Sequence, residues 1–169
     1  TNSHQVKTLY DQIIKIADFK KNDVIYDLYC GTGTIGIYIS SYVKKIYGIE
    51  IIKDAIKDAK HNAKTNKINN IKFYCGDLKD ILKDGTLSKI EKPDVVIIDP
   101  PRPGLHPNTI KELINISPKK IIYVSCNPST MARDIEILSS HGYLIIDIQP
   151  IDMFPHTPHI ECITKLRIN

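Results

Sequence analysis

Cys126 stands where a cysteine can act as a nucleophile. It follows the apolar run Ile121–Ser125 and precedes Asn127 and Pro128, residue types typical of a helix cap and a first helical turn. The positive end of a helix dipole favours the thiolate form of a nearby cysteine. From position alone, a reactive thiol and a buried inert thiol stay open as alternatives. The other three cysteines, Cys30, Cys75 and Cys162, are expected to be inert.

A proline-rich segment follows the run Val95–Ile98 and begins with the acid Asp99. It reads Asp99-Pro100-Pro101-Arg102-Pro103-Gly104 and holds too many prolines to continue a strand. Such a stiff loop suits a wall against which a planar base is positioned, the alternative being a simple rigid turn. We expect Pro100 and Arg102 of this loop at the substrate.

Glu161 lies among apolar residues at the start of the last predicted strand. Strand interiors disfavour Glu, and partial burial would raise its pKa toward the range of a general base. A solvent-facing Glu on an edge strand is the alternative. The neighbouring His156 and His159 lack further ligands for a metal and are expected to be structural.

The segment Asp27–Gly36 contains the glycine pattern G-x-G-x-x-G, at Gly31, Gly33 and Gly36. With Glu50 at the next strand end, this is a weak signal that nicotinamide enzymes and methyltransferases share. Glycines let a backbone approach a nucleoside, and a carboxylate at that strand end accepts both ribose hydroxyls.

Acids at consecutive strand ends favour the methyltransferase cofactor over a dinucleotide. Asp27 would oppose a pyrophosphate but suits a ligand with an amino acid and a sulfonium, and Asp77 can accept from an adenine amino group. Ligands of open α/β sheets bind outside these strand ends. The residues expected at the cofactor are Asp27, Tyr29, Gly31, Gly33, Thr34, Glu50, Asp77 and Asp99.

Short apolar runs that alternate with amphipathic stretches predict a parallel sheet covered by helices. The predicted strands are Val24–Tyr29, Ile46–Glu50, Ile71–Cys75, Val95–Ile98, Ile121–Ser125, Tyr143–Pro150 and His159–Leu166. The predicted helices are Val6–Ala17, Thr34–Ser41, Lys53–Asn66, a short one after Asp77, Pro107–Asn115 and Pro128–Ser140. A loop over Asp152–Pro158 joins the last two strands.

Composition and charge exclude several classes of protein. The 169 residues are 42% hydrophobic and 25% charged, as in an ordinary globular domain, and contain no apolar run long enough for a membrane span. Without a C-x-x-C pair, neither a zinc site nor a disulfide framework is indicated. The net charge of +4 is compatible with a polyanionic partner, although lysine pairs such as Lys44-Lys45 and Lys119-Lys120 are expected to be solvated strand entrances. We expect one cytoplasmic, monomeric domain, cut from a longer protein because it starts directly in a helix.

Together, Asp-Leu-Tyr-Cys-Gly-Thr-Gly, Asp-Pro-Pro-Arg-Pro-Gly, Ser-Cys-Asn-Pro and His-x-x-His-x-Glu make the chain resemble the RNA uracil-C5 methyltransferases. The resemblance implies a Rossmann-like, seven-stranded class I fold with an antiparallel last strand and S-adenosylmethionine as cofactor. It implies Cys126 as nucleophile, Glu161 as base and Asp99 in the active site. The implied partner is RNA, ribosomal RNA first and transfer RNA as the alternative. It also implies an amino-terminal RNA-binding region, sometimes with an iron–sulfur cluster, that these residues do not include.

Three alternatives remain. Asp99-Pro100-Pro101 resembles the motif of adenine-N6 methyltransferases, which usually carry an aromatic residue at the position of Arg102 and need no cysteine. Cytosine-C5 enzymes usually place their cysteine beside the fourth strand, where this chain has Arg102-Pro103. A non-catalytic module that binds cofactor or RNA is the third.

Overall fold

The computed structural model describes residues 3–83, 90–153 and 160–169, and the predicted order of elements is confirmed there. The helices are α1 (Ser3–Ala17), α2 (Thr34–Ile39), α3 (Lys53–Thr65), α4 (Leu78–Lys83), α5 (Pro107–Ile116) and α6 (Pro128–Ser140). The strands are β1 (Val24–Leu28), β2 (Lys45–Glu50), β3 (Ile71–Cys75), β4 (Val95–Ile98), β5 (Lys120–Ser125), β6 (Tyr143–Asp152) and β7 (Ile160–Ile168).

The strands form one seven-stranded sheet in the order β3-β2-β1-β4-β5-β7-β6. β1 runs parallel to β2 and β4, whereas β7 runs antiparallel to both β5 and β6. The predicted α/β class with an antiparallel last strand is therefore confirmed. Residues 19–98 form one compact unit, and residues 1–18 with 99–169 form a second.

In the unit of residues 19–98, the sheet has a fully buried centre. Every residue of β1 and of β4 is buried, which explains the uninterrupted apolar sequence of β4, whereas β1 also contains the buried Asp27. The parallel register pairs Leu28 with Ile49 and Glu50 with Cys75, so β1, β2 and β3 end at one edge. That edge holds the glycine loop that comes after β1.

In the second unit, β5 and α6 supply much of the core. Residues 121–124 of β5 are at most 1% exposed. Lys120 Nζ donates to the carbonyls of Ala17 at 3.0 Å and Asp18 at 3.1 Å, which stabilises the end of α1. This lysine therefore has a structural role, as does Lys44, which forms an exposed ion pair with Glu91.

Several element ends differ from the sequence prediction. β1 stops at Leu28 because Tyr29 adopts a left-handed backbone with φ of +60°. α1 begins three residues before Val6, and β7 continues two residues past Leu166. Residues 40–42 form a 3₁₀ turn rather than the end of α2.

β6 runs through Pro150 to Asp152, because an edge strand tolerates a proline whose missing N–H faces away from its one partner. An irregularity between Ile145 and Asp147 interrupts its pairing with β7. The predicted loop positions 154–158 and His159 lie outside the described residues, so the placement of His156 and His159 stays a prediction.

Candidate active site and cofactor loop

The glycine loop after β1 is a tight turn held by backbone hydrogen bonds. Gly33 N–H donates to the Cys30 carbonyl at 2.8 Å, and Gly31 and Gly33 have φ values of +51° and +79°. From α3, the Asn62 amide donates to the Thr32 carbonyl at 3.1 Å. These contacts present the backbone of the loop as a preformed cradle.

Glu50 joins the loop to the end of β2. Its side chain is buried, and Oε2 accepts from Gly31 N–H at 3.1 Å while Oε1 accepts from Ile52 N–H at 2.9 Å. Each carboxylate oxygen can accept more than one hydrogen bond. An oriented carboxylate with remaining acceptor capacity at this position suits the hydroxyls of a ribose.

Asp27 lies within β1 and is only 1% exposed. Its Oδ2 accepts from Gly36 N–H, in the first turn of α2, at 3.2 Å. A carboxylate at a helix amino terminus stabilises it and satisfies a free N–H. The contact shows Asp27 orienting the glycine loop, while direct contact with a cofactor remains a prediction.

The remaining cofactor candidates of this unit lie beside the same strand ends. Tyr29 directly follows β1 and is half-buried, and Thr34 is the exposed first residue of α2. Asp77 follows β3 by two residues, is exposed, and its carbonyl accepts from the backbone N–H of Asp80 and of Ile81. Asp77 therefore occupies the cap position directly before α4.

The acidic side chains around the glycine loop suit a nucleoside with positive or hydrogen-bond-donating groups better than a pyrophosphate. Asp27, Glu50 and Asp77 are acids, and a Cβ at Gly31 would meet no atom within 4 Å. The backbone at Gly31 is thus open for close approach by a ligand.

Gly31→Ala and Gly33→Ala form a matched pair that tests the loop geometry. Each places a side chain at positive φ, which costs roughly 1–2 kcal/mol. A Cβ at Gly33 would also lie 2.8 Å from the Phe73 ring and 3.2 Å from Ala59 Cβ. Overpacking adds about 1–3 kcal/mol, so we expect urea unfolding to show Gly33→Ala as the less stable variant by at least about 1 kcal/mol. Equal stabilities would contradict this geometry.

In the second unit, Cys126 lies between the end of β5 and the start of α6. As predicted, Asn127 caps α6 and Pro128 is its first residue, the Asn127 side chain accepting from Ser129 N–H at 3.2 Å. Ser125 Oγ accepts from Asn127 N–H at 3.0 Å and so fixes the backbone on both sides of the cysteine. The Cys126 side chain is half-buried, which leaves it accessible.

The β5–β7 register brings Cys126 and Glu161 to the same edge of neighbouring strands. Ser125 pairs with Cys162 at the last described step of this antiparallel ladder. One residue beyond this pair, the two strand segments carry Cys126 and Glu161. Adjacent strands lie about 4.8 Å apart, so the predicted nucleophile and base are neighbours in the fold although 35 positions separate them in the sequence.

Asp99 and Glu161 form an acidic pair with raised pKa values. Partial burial raises the pKa of Glu161, as the sequence predicted. Asp99, directly after β4, is solvent-accessible, but the surrounding protein removes part of its hydration, and this together with the Glu161 charge raises its pKa to about 6. Raised carboxyl pKa values mark candidate acid–base sites.

Asp99→Asn should therefore stabilise the chain at neutral pH. Because the folded-state pKa of about 6 exceeds the ordinary 3.8, the native state binds more protons than the unfolded state between these values. Stability then falls as pH rises through this window. We expect Asp99→Asn to be more stable at pH 7 by on the order of 1 kcal/mol, a gain limited by solvent screening, and to match the parent at about pH 3.5.

Urea unfolding at both pH values measures this effect. The control is Asp58→Asn on an exposed side chain, which should leave the free energy of unfolding unchanged at either pH. A variant destabilised at pH 7, or a gain that persists at low pH, would contradict the assigned environment of Asp99.

The buried cysteines have environments that oppose a thiolate. Burial, with the Asp27 and then the Glu50 charge, holds the pKa of Cys30 well above its ordinary value. Burial likewise raises the pKa of Cys162. Cys75 is exposed at the end of β3. These environments support the prediction that Cys30 and Cys162 are inert.

The proline-rich loop after β4 is held by side chains of α6. The Arg102 carbonyl accepts from Asn127 Nδ2 at 3.2 Å and from Thr130 Oγ1 at 3.1 Å, while the Arg102 side chain is exposed. Pro100 is buried. An exposed arginine on an anchored backbone suits contact with a substrate.

Sequence reasoning did not identify Arg133 and Asp134, which also hold this loop, or Tyr123, which donates to Asp134. A signal was present, since Asp134 lies in the apolar stripe that Met131, Ile135 and Leu138 form on α6. A charged residue on the core face of a helix requires buried partners.

Comparison with known proteins identifies the family. The model of the family described as tRNA (uracil-5-)-methyltransferase matches residues 1–168. The chain belongs to this family. It is 42% identical over 167 residues to an RNA methyltransferase of Oceanobacillus iheyensis, covering 99% of this chain and 36% of that protein. An RNA methyltransferase of Bacteroides thetaiotaomicron is 44% identical over 168 residues, with 99% and 37% covered.

Solved structures agree with this membership. The Pyrococcus abyssi tRNA (uracil-54, C5)-methyltransferase, in complex with S-adenosyl-L-homocysteine, superposes with a TM-score of 0.83 at 36% identity and covers 98% of this chain and 39% of that one. A precorrin 8W decarboxylase of Methanobacterium thermoautotrophicum has a TM-score of 0.75 at 19% identity, covering 95% of this chain and 90% of that one, which shows the shared fold alone. The chain spans about 36% of the length of the curated relatives above.

Metal binding and membrane spanning can be assessed for the described residues, 3–83, 90–153 and 160–169. Within these ranges, no group of three or more His, Cys, Asp or Glu side chains could hold a metal ion. No helix in the same part of the chain is long and apolar enough to cross a membrane.

Proposed function

We propose that this family member methylates carbon 5 of uracil in RNA, with S-adenosylmethionine as methyl donor and Cys126 as nucleophile. The observation that carries the proposal is the β5–β7 register, which pairs Ser125 with Cys162, the residues next to Cys126 and Glu161 in the sequence. Asp99, whose pKa the Glu161 charge helps to raise, belongs to the same acidic environment. A cysteine nucleophile and a carboxyl base are the groups that covalent methylation of a pyrimidine needs.

The glycine loop and its acids are proposed to hold the cofactor. Glu50 would accept from the ribose hydroxyls, Asp77 from the adenine amino group, and the backbone at Gly31 would contact the nucleoside. Bound S-adenosylmethionine supplies a methyl group attached to a sulfonium. The complex of the Pyrococcus abyssi protein with S-adenosyl-L-homocysteine supports S-adenosylmethionine as the cofactor.

The chemistry of uracil explains why a cysteine and a base are needed. Carbon 5 of uracil is a poor nucleophile. When the Cys126 thiolate bonds to carbon 6, the electron pair of the C5–C6 double bond moves into an enolate, and carbon 5 becomes electron-rich enough to accept the methyl group. Glu161 then takes the proton from carbon 5, the C5–C6 double bond re-forms, and the thiolate leaves. Covalent catalysis thus divides one difficult step into easier ones.

RNA is the proposed partner because the matched family is described as methylating uracil in tRNA. The target base must leave its stack before Cys126 can reach carbon 6. The sequence favours ribosomal RNA, whereas the matched family and the Pyrococcus abyssi structure carry tRNA in their names. Both RNAs are therefore substrates to test. A monomeric state and a cytoplasmic location remain predictions.

Mechanism-based trapping tests the proposal. The chain is mixed with S-adenosylmethionine and a short RNA that carries 5-fluorouridine, and a parallel sample carries 5-fluorocytidine. Fluorine cannot leave as a proton does, so the methylated base should stay bonded to Cys126 and add its mass to the protein in intact-mass spectrometry. An adduct with 5-fluorouridine alone, located at Cys126 by peptide mapping, is the expected result.

Other outcomes separate the alternatives. An adduct with 5-fluorocytidine only would show a cytosine-C5 enzyme, and methylation without any adduct, found as a modified adenine by nucleoside mass spectrometry, would show an exocyclic-amine enzyme. Cofactor binding without methyl transfer to either RNA, in the longer polypeptide as well, would favour a non-catalytic module.

A further inference from the structure

Asp134 is a fully buried carboxylate with four hydrogen bonds. Its Oδ2 accepts from Leu105 N–H and from the Tyr123 hydroxyl, both at 2.7 Å. Its Oδ1 accepts from Arg133 Nε at 2.9 Å and from Nη2 of the same guanidinium at 2.7 Å. The side chain is 0% exposed, so these bonds replace the hydration that the carboxylate loses.

These contacts connect α6 to the backbone of the proline-rich loop. Arg133 Nη2 also donates to the Pro103 carbonyl at 3.0 Å, next to the Arg102 carbonyl that Asn127 and Thr130 hold. With Leu105 N–H on Asp134, α6 binds backbone groups of residues 102, 103 and 105. A Cβ at Gly104 would lie 2.6 Å from Asp134 Oδ2, so only glycine permits this close approach.

The same helix begins at Pro128, two residues after Cys126. Asn127 uses both ends of its amide, since Oδ1 caps α6 and Nδ2 holds the Arg102 carbonyl. The loop with Asp99 and Arg102 and the turn with Cys126 are therefore anchored to one rigid element. A shift of the loop against α6 changes its position relative to the thiol.

We propose that Asp134 is a positioning residue, which acts through the backbone of residues 102–105 to hold the proline-rich loop in register with Cys126. The inference rests on the proposed function insofar as it gives this loop a role at the substrate. Position 134 requires a carboxylate, because a neutral amide cannot accept from Leu105, Tyr123 and Arg133 together. The nitrogen end of an amide would donate toward one of these groups.

Hydrogen exchange and trapping together test the proposal on Asp134→Asn. The control is Glu136→Gln, which makes the same chemical change on an exposed side chain of the same helix. Backbone exchange is followed by mass spectrometry in peptides that contain residues 102–106, where Leu105 N–H is the direct reporter. The rate of adduct formation with 5-fluorouridine RNA and the affinity for S-adenosylmethionine are measured on the same samples.

We expect Asp134→Asn to exchange at least about tenfold faster in residues 102–106, with little change in peptides of β5 and the later turns of α6. Adduct formation should slow by about tenfold or more while cofactor affinity stays within about twofold, because displacement of a positioned group reduces the rate of reaction rather than cofactor binding. Glu136→Gln should match the parent in all three measurements.

A purely structural role predicts a different pattern. Faster exchange spread equally over β5, α6 and the loop, or an unchanged loop, would overturn the proposal, as would a loosened loop with an unchanged adduct rate. If Asp134→Asn does not fold, Tyr123→Phe removes one bond to Oδ2 and should produce the same local pattern at smaller amplitude. If the parent forms no adduct, in the longer polypeptide as well, the proposed function fails, and the exchange data still decide whether Asp134 holds the loop.

Discussion

Cys126→Ala should abolish methyl transfer while leaving cofactor binding intact. Without the thiolate, carbon 5 of the uracil is not activated, and loss of an essential nucleophile typically costs roughly four or more orders of magnitude in rate. The residues proposed to bind the cofactor, Glu50, Asp77 and the glycine loop, belong to a different compact unit from Cys126. Single-turnover transfer of a labelled methyl group measures the first effect, and calorimetric titration with S-adenosylmethionine measures the second.

Cys75→Ala is the matched control for this experiment. It removes an exposed thiol at the end of β3 and should keep the transfer rate within about twofold, as surface substitutions usually do. More than about one per cent of the parent rate in Cys126→Ala would exclude the covalent pathway, since a lost nucleophile costs more than this. Loss of cofactor binding would instead indicate that the substitution disturbs the fold.

Glu161→Gln should trap the enzyme on ordinary, unfluorinated RNA. The amide cannot take the carbon-5 proton. The adduct therefore forms and accepts the methyl group, but the methylated RNA is released from Cys126 slowly. Loss of a general base typically slows the step that it serves by about a hundred- to ten-thousandfold. The measurements are the adduct fraction by intact mass at several times and the multiple-turnover rate.

Glu136→Gln serves as the control here too, because it neutralises an exposed glutamate of α6. It should show no persistent adduct. If turnover in Glu161→Gln equals that of the parent, Glu161 is not the base; Asp99, whose pKa of about 6 also suits proton transfer, then becomes the candidate. If no adduct forms, Glu161 is needed before or during attack by Cys126.

The element order could be predicted because it depends on local patterns. The buried strand β4 is visible as Val-Val-Ile-Ile, and the start of α6 as Asn127-Pro128, since burial and capping each select residue types over a few positions. Element ends were less accurate. The left-handed Tyr29 depends on the path of the glycine loop, and the continuation of β6 through Pro150 depends on its pairing with β7, neither of which a local pattern contains.

The candidate site could likewise be predicted only in part. Cys126, Glu161 and Asp99 could be selected from residue type and position, and the resemblance supplied their expected roles. Asp134 was not selected, because the sequence shows an acid in an apolar stripe but not which groups satisfy it. Its partners Leu105 and Tyr123 lie 29 and 11 positions away and meet it only through tertiary packing.

The α/β class, the order of the elements and the types of the candidate reactive residues could be predicted from the sequence, because they depend on periodicity, capping and side-chain chemistry. Three features required the folded structure: the β5–β7 register that ends next to Cys126 and Glu161, the bond of Asp27 to the start of α2, and the bonds of the buried Asp134 to the proline-rich loop. Strand register and buried hydrogen bonds depend on contacts between distant residues, which no local pattern specifies.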